Sequence, residues 1–229
     1  MSASAPVSPE FSRGMGDRKS ASHGEAGYKR RPHDAYFTEQ WVTRALLAAY
    51  DFHLPIVGAC HDTIWEPACG DGRMASVIAE AGYRVVASDI ADWGYGATGW
   101  DFLAAPPLGL PVPDCAAIIT NPPFATATRH FIQRALDLTK LRGGKVAMLQ
   151  RHEFDAPATN HPLFQAPFAA KLVLPRRPRW SDEPETASPR FPYAWYLWDW
   201  RHSGPPILRY LPYPRSTKPA NLFGAEAAE

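Results

Sequence analysis

The chain has 229 residues, with 24 Lys and Arg against 23 Asp and Glu, and 45% of it is hydrophobic. That length suits one domain of roughly 150 to 200 ordered residues with flexible ends, and the apolar content excludes a chain disordered throughout. A formal net charge of +1 argues against a long sequence-independent grip on duplex phosphates, so phosphate contacts have to come from local clusters.

Residues 1–30 are rich in Ser, Gly, Ala and charge, lack apolar periodicity, and end at the basic run Lys29, Arg30, Arg31; they read as a disordered arm without an apolar signal core. Apolar stretches elsewhere are interrupted too soon for a membrane span, so a cytoplasmic protein is expected. Trp41, Val42, Ala45, Leu46, Ala49 and Tyr50 recur at helical spacing, with Thr38 placed as the N-cap. Strands and helices then alternate: strand 63–66, helix 73–81, strand 84–88, a short element near Trp100, strand 116–120, helix 128–141 and strand 145–149. Such alternation predicts an α/β fold with a parallel sheet covered on both faces. Residues 172–174 and 194–200 read as two more strands, joined by a Pro/Arg-rich stretch at 175–192. From His202 onward the chain reads as a proline-rich tail. Domain boundaries are therefore expected at 1–30 for the arm, 31–201 for the folded domain and 202–229 for the tail. Cys60, Cys69 and Cys115 lack CxxC spacing and the eight histidines are scattered, which predicts neither a disulfide framework nor a metal site.

The segment Glu66, Pro67, Ala68, Cys69, Gly70, Asp71, Gly72 follows a β-branched strand and precedes a helix. In that context glycines let a ligand approach the backbone, so a cofactor loop is expected here. With Ala75 it also fits GxGxxA, which a nicotinamide or flavin enzyme would share. Asp89 ends the next strand 19 residues after Gly70; a carboxylate there accepts ribose hydroxyls of an adenosine, in dinucleotides and S-adenosylmethionine alike. A solvent-facing Asp is the plainer alternative. Asp101 and Phe102 stand at the next strand end as candidates for the adenine amino group and ring face, with a loop acid beside a core Phe as the alternative. Trp93 and Tyr95 either wall the adenine pocket or pack the loop.

Asn121, Pro122, Pro123, Phe124 comes directly after an apolar strand. In an open parallel sheet ligands bind outside the carboxyl ends of the strands, so this tetrapeptide faces the same crevice as Gly70 and Asp89. An exocyclic base amine is a poor nucleophile because its lone pair is delocalised into the ring. The Asn121 side-chain oxygen and the Pro122 carbonyl would accept both amine hydrogens and stabilise the positive charge growing on nitrogen, and two prolines keep the turn stiff. Phe124, with Pro123 beside it, would stack on the target base, a contact worth about 1 to 3 kcal/mol. Read in isolation, the same four residues are a proline-rich turn that ends a strand.

Taken together, these motifs resemble class I S-adenosylmethionine-dependent methyltransferases, and among them the amino-methyltransferases carrying (N/D/S)PP(Y/F/W), over roughly residues 36–200. EPACGDG is similar to their cofactor loop, SDI to their acidic strand end, WDFL to their adenine-side segment and NPPF to their catalytic tetrapeptide, in the order of the gamma-type adenine N6 enzymes. The resemblance implies a single-domain, seven-stranded Rossmann-like sheet whose last strand is antiparallel, with residues 193–200 in that strand. It implies cofactor contacts from Tyr36, Thr38, Glu66, Ala68, Gly70, Gly72, Asp89, Asp101 and Phe102, and catalytic roles for Asn121, Pro122 and Phe124. Two departures stand out: residues 89–100 are too few for a crossover helix, and no large target-recognition domain is present. Recognition would then fall to the Pro/Arg-rich stretch, where Arg176, Arg177, Arg179 and Trp180 mix charge with an aromatic ring; a solvated basic loop is the alternative. The expected activity is S-adenosylmethionine-dependent methylation of a base amino group, adenine N6 in DNA first. Cytosine N4, RNA bases and protein glutamine share the same NH2 geometry. From other classes, a nicotinamide-dependent oxidoreductase lacks its His/Lys or Tyr/Lys pair near the cleft, and a non-catalytic nucleic-acid-binding module is disfavoured by the intact Asn121 and Asp89.

Overall fold

The computed structural model describes residues 37–54, 61–104, 112–123, 126–165, 167–180 and 191–213. Tyr36, Phe124, the basic run at 29–31, Cys60, residues 181–190 of the Pro/Arg-rich stretch and the chain beyond Tyr213 lie outside the described residues. The elements are α1 (Gln40–Ala49), β1 (Thr63–Glu66), α2 (Arg73–Glu80), β2 (Arg84–Ala87), β3 (Ala117–Thr120), α3 (Thr126–Lys140), β4 (Lys145–Arg151), a 3-10 helix (Ala158–Phe164), β5 (Phe168–Val173), β6 (Tyr193–Asp199) and β7 (Ile207–Tyr210). None of the described helices is long and apolar enough to cross a membrane.

The seven strands form one sheet in the order β2-β1-β3-β4-β6-β5-β7. β1 pairs in parallel with both β2 and β3, β3 with β4 and β5 with β7, whereas β6 is inserted antiparallel between β4 and β5. Every residue of β1, β3 and β6 is buried, as expected for strands covered on both faces.

Side-chain alternation divides the core into two layers. Ile64, Ala117, Ile119, Ala147 and Leu149 pack with Val42 and Leu46 of α1 and Met74 and Ile78 of α2. Trp65, Ile118, Val146, Met148, Tyr196 and Trp198 pack with Phe131, Ile132, Ala135 and Leu136 of α3. The aromatics of β6 thus belong to the core, and their polar tips are satisfied there: Trp195 Nε1 donates to the Val42 carbonyl at 3.0 Å and Trp198 Nε1 to the Leu163 carbonyl.

The structure departs from the sequence reading in three places. The N-cap of α1 is Glu39, without a side-chain capping bond, and Thr38 has a different partner. No strand forms between Asp89 and Trp100; the loop adds a single bridge between Ser88 and Ala97 and packs Trp100 on Trp65 of β1, which leaves β2 as an edge. In the region expected to be tail, β7 adds an edge strand beside β5. All four β7 residues are exposed, so they carry no burial pattern for a sequence to reveal. Backbone pairing with β5 holds the strand, and the buried Leu211 just beyond it donates its N–H to the Val173 carbonyl at 2.9 Å.

Candidate functional site

The chain runs from β1 outward to β2, then returns to place β3 on the other side of β1. This reversal opens a crevice at the carboxyl ends of β1 and β3, where open α/β sheets bind ligands. Glu66 ends β1, Asp89 follows β2 and Asn121 follows β3, so all three expected motifs reach the same end of the sheet.

The turn from β1 into α2 needs two left-handed residues, Gly70 at φ 53° and Gly72 at φ 80°, a conformation that disfavours a side chain. Space is equally tight. A Cβ on Gly70 would lie 2.8 Å from the Phe37 ring, and one on Gly72 would strike the ring of Tyr95. Gly70 donates its N–H to Asp89 Oδ2 at 2.9 Å, which ties the loop to the acidic strand end. Ala68 is half-buried against the core layer that faces α3.

Asp89 is itself buried and already well supplied with donors. Its Oδ1 accepts from the Ala91 N–H at 2.9 Å and from Trp93 Nε1 at 3.2 Å. A carboxylate has about four acceptor positions, so capacity for a ligand remains but is limited. Phe37 packs edge-on against Trp93 at 5.4 Å between centroids, and the Arg73 guanidinium lies 5.6 Å from the Phe37 centroid.

Glu66 is 2% exposed, and its Oε2 has no hydrogen-bond partner among the described residues. Burial pushes its carboxyl well above the usual range; the Ala75 N–H pulls the other way, while the charges of Asp89 and Asp71 push it further up. The Cys69 thiol is raised to about 12, first by burial and then by Glu66 and Asp89, so it is no nucleophile.

Asn121 continues the β3 alternation onto the face of α1 and α2. Its Nδ2 donates to Thr38 Oγ1 at 3.2 Å, and Thr38 is 5% exposed. Pro122 is buried, and the Pro123 carbonyl accepts from Thr128 Oγ1 at 2.8 Å, so the first turn of α3 holds the proline turn in place.

Other expected site residues fall elsewhere. Phe102 is 2% exposed, with its ring packed on Trp65 and Phe131; it belongs to the core rather than to an adenine pocket. Asp101 is exposed and caps its own turn by accepting from the Leu103 N–H at 2.9 Å. Trp180 is buried edge-on against Tyr193, so it offers no stacking face to a substrate. Arg177 and Arg179 are exposed at the same end of the sheet, and the Arg179 N–H is held by Glu39 Oε2 at 2.8 Å.

Sequence reasoning missed Arg151, whose guanidinium lies 3.8 Å from the Phe191 centroid, and the stacking of Arg176 on Trp41 at 4.6 Å. It also missed Gln150 and Thr120, buried at adjacent strand ends with Gln150 Nε2 and Thr120 Oγ1 lacking a partner among the described residues. A polar residue closing a buried strand was the available signal for both.

No family model matches the sequence, and no curated protein matches it. Solved structures are similar in fold. One, from Listeria monocytogenes, is described as a class I S-adenosylmethionine-dependent methyltransferase; it has a TM-score of 0.53 at 15% identity over 78% of this chain and 66% of its own. A modification subunit assigned to a type I restriction enzyme of Vibrio vulnificus gives 0.51 at 14% identity, over 80% of this chain and 48% of its own. A protein from Pyrococcus horikoshii, described as an RNA methyltransferase, gives 0.53 at 14% identity, over 74% and 91%. The chain therefore spans about two thirds and about half of the first two. The likeness is one of fold, and the fold is that of the class I methyltransferases.

Proposed function

We propose that this protein is a methyltransferase that draws on S-adenosylmethionine and acts on an exocyclic amino group of a nucleic-acid base, with adenine N6 in DNA the leading target. One observation carries the reading: the Asn-Pro-Pro turn and the glycine loop meet through a single dipeptide. Phe37 packs on Gly70 while Thr38 accepts from Asn121. The turn that carries the proposed amine acceptors thus stands beside the glycine loop at the point where the strand order reverses.

The residues present fit the cofactor. Asp89 retains acceptor capacity for ribose beside the Gly70 N–H that it already holds, and buried Glu66 Oε2, without a hydrogen-bond partner among the described residues, offers a carboxyl oxygen to a cationic end. Bound there, S-adenosylmethionine supplies a transferable methyl on sulfonium. The chain's own part concerns the amine. Asn121 Oδ1 and the Pro122 carbonyl would accept its two hydrogens, turn the nitrogen lone pair out of the ring plane and stabilise the charge that grows on nitrogen as the N–C bond forms and the sulfonium S–C bond breaks to leave a neutral thioether. One amine proton then leaves to solvent. The stiff, Thr128-anchored turn keeps the reorganisation cost low.

Two similar structures point to the substrate class, one by description from a restriction system and one an RNA methyltransferase. The protein should therefore be incubated with methyl-labelled cofactor and unmodified DNA, RNA and protein, followed by nucleoside and peptide mass analysis. Label in N6-methyladenine of DNA is the expected result, lost in Asn121→Ala with cofactor affinity kept. Label confined to RNA or protein, or no label at all, overturns the reading.

A further inference from the structure

We infer that Thr38 is a positioning residue for Asn121: its hydroxyl hydrogen-bonds the Asn121 amide and so holds that amide where it meets the substrate amine. The inference rests on the methyltransferase reading for its consequence but not for its geometry. A threonine hydroxyl both donates and accepts, so the bond does not choose between the two ends of the amide; it restricts rotation about the last side-chain bond. An amide left to swing would lose its alignment with the amine. Something has to hold it.

Thr38 is suited to the task. It is 5% exposed, and its Oγ1 lies 3.2 Å from Asn121 Nδ2. The neighbouring elements hold it in place. Glu39 accepts from Trp41 Nε1 and from the Arg179 N–H, each at 2.8 Å, so the start of α1 is tied to the chain that follows β5. On the other side Phe37 rests against Gly70, where a Cβ would come within 2.8 Å of its ring. A shift of the glycine loop is thereby transmitted through two adjacent residues to the amide that meets the substrate. Thr38 thus acts on Asn121, and not as the helix cap that its place before α1 suggests.

The test compares Thr38→Val, which keeps the shape and removes the acceptor, with Thr38→Ser, which restores it. The Asn121 side-chain NH2 signals, identified by their loss in Asn121→Ala, are followed by nitrogen-15 NMR. One of the two hydrogens should exchange slowly in the unaltered protein and in Thr38→Ser, and quickly in Thr38→Val. Methyl transfer at saturating cofactor should fall by about tenfold or more in Thr38→Val, the worth of one hydrogen bond in a rate, with cofactor affinity within about twofold and with rescue in Thr38→Ser. Loss of cofactor affinity with an unchanged rate would assign Thr38 to the cofactor and overturn the inference. Identical Asn121 exchange in all three proteins would overturn it as well. Should the unaltered protein transfer methyl to nothing, the functional reading fails while the exchange pattern still decides the Thr38 contact.

Discussion

On the proposed function, in which Asp89 holds the cofactor ribose, replacing Trp93 with phenylalanine is expected to tighten cofactor binding, because the indole occupies acceptor capacity on Asp89. Asp89 accepts from the Gly70 N–H and the Ala91 N–H, both at 2.9 Å, and from Trp93 Nε1 at 3.2 Å. A vicinal diol brings two more donors to a carboxylate with about four acceptor positions, so one present donor has to leave. Gly70 and Ala91 donate from the backbone and cannot turn away without moving the loop, whereas the indole sits on a side chain. A neutral hydrogen bond contributes about 0.5 to 1.5 kcal/mol net, which converts to roughly two- to tenfold in affinity, and the longer Trp93 contact favours the lower end. Phenylalanine keeps an aromatic ring against Phe37, so packing is largely conserved. Titration calorimetry with S-adenosylhomocysteine on both proteins gives the answer. Unchanged or weaker binding by Trp93→Phe would refute the reasoning, since it would make the indole either idle or a wall of the adenine pocket.

Glu66→Gln tests the buried carboxyl. Because the folded state holds this proton well above the ordinary carboxylate range, the unfolded chain releases it first, and stability falls as pH rises from the ordinary carboxylate pKa toward the folded one. The variant should show a flatter stability profile between pH about 5 and 8 by urea denaturation; parallel profiles would remove Glu66 as the cause. Cys69, raised to about 12 from an ordinary value of 9.0, holds about a thousandfold less thiolate than an ordinary thiol below pH 9. Iodoacetamide at pH about 8 should therefore label it far more slowly in the native protein than in urea, as read by peptide mass analysis, and equal rates would contradict its burial. Gly72→Ala combines φ 80° with a Cβ driven into the Tyr95 ring. It should cost about 1 to 3 kcal/mol in urea denaturation and weaken cofactor binding; a neutral effect on both would show that the loop tolerates a side chain.

The local features of the site were legible in the sequence because their causes lie within a few residues. Glycines at 70 and 72 announce a turn that needs positive φ, and the structure has it at both. Asp89, expected at the end of the second strand, is there and hydrogen-bonded to Gly70. The alternation of strands and helices gave the parallel part of the sheet, and the family resemblance gave the antiparallel strand at 193–199, whose residues are all buried. Phe102 and Trp180 were less tractable. An aromatic beside polar residues reads the same whether it faces a ligand or the interior, and only the packing of Trp65 and Phe131 on one and Tyr193 on the other distinguishes the cases.

By itself, the sequence determined where the chain turns, which strands are buried on both faces and which carboxylate and amide stand at their ends, since periodicity and turn chemistry act between near neighbours. Only the tertiary structure decided that β7 joins the sheet, that Trp93 donates to Asp89 and that Thr38 meets Asn121 across 83 positions. An exposed edge strand has no burial pattern to betray it. A hydroxyl, likewise, carries no mark of its partner until folding brings distant segments within hydrogen-bonding distance.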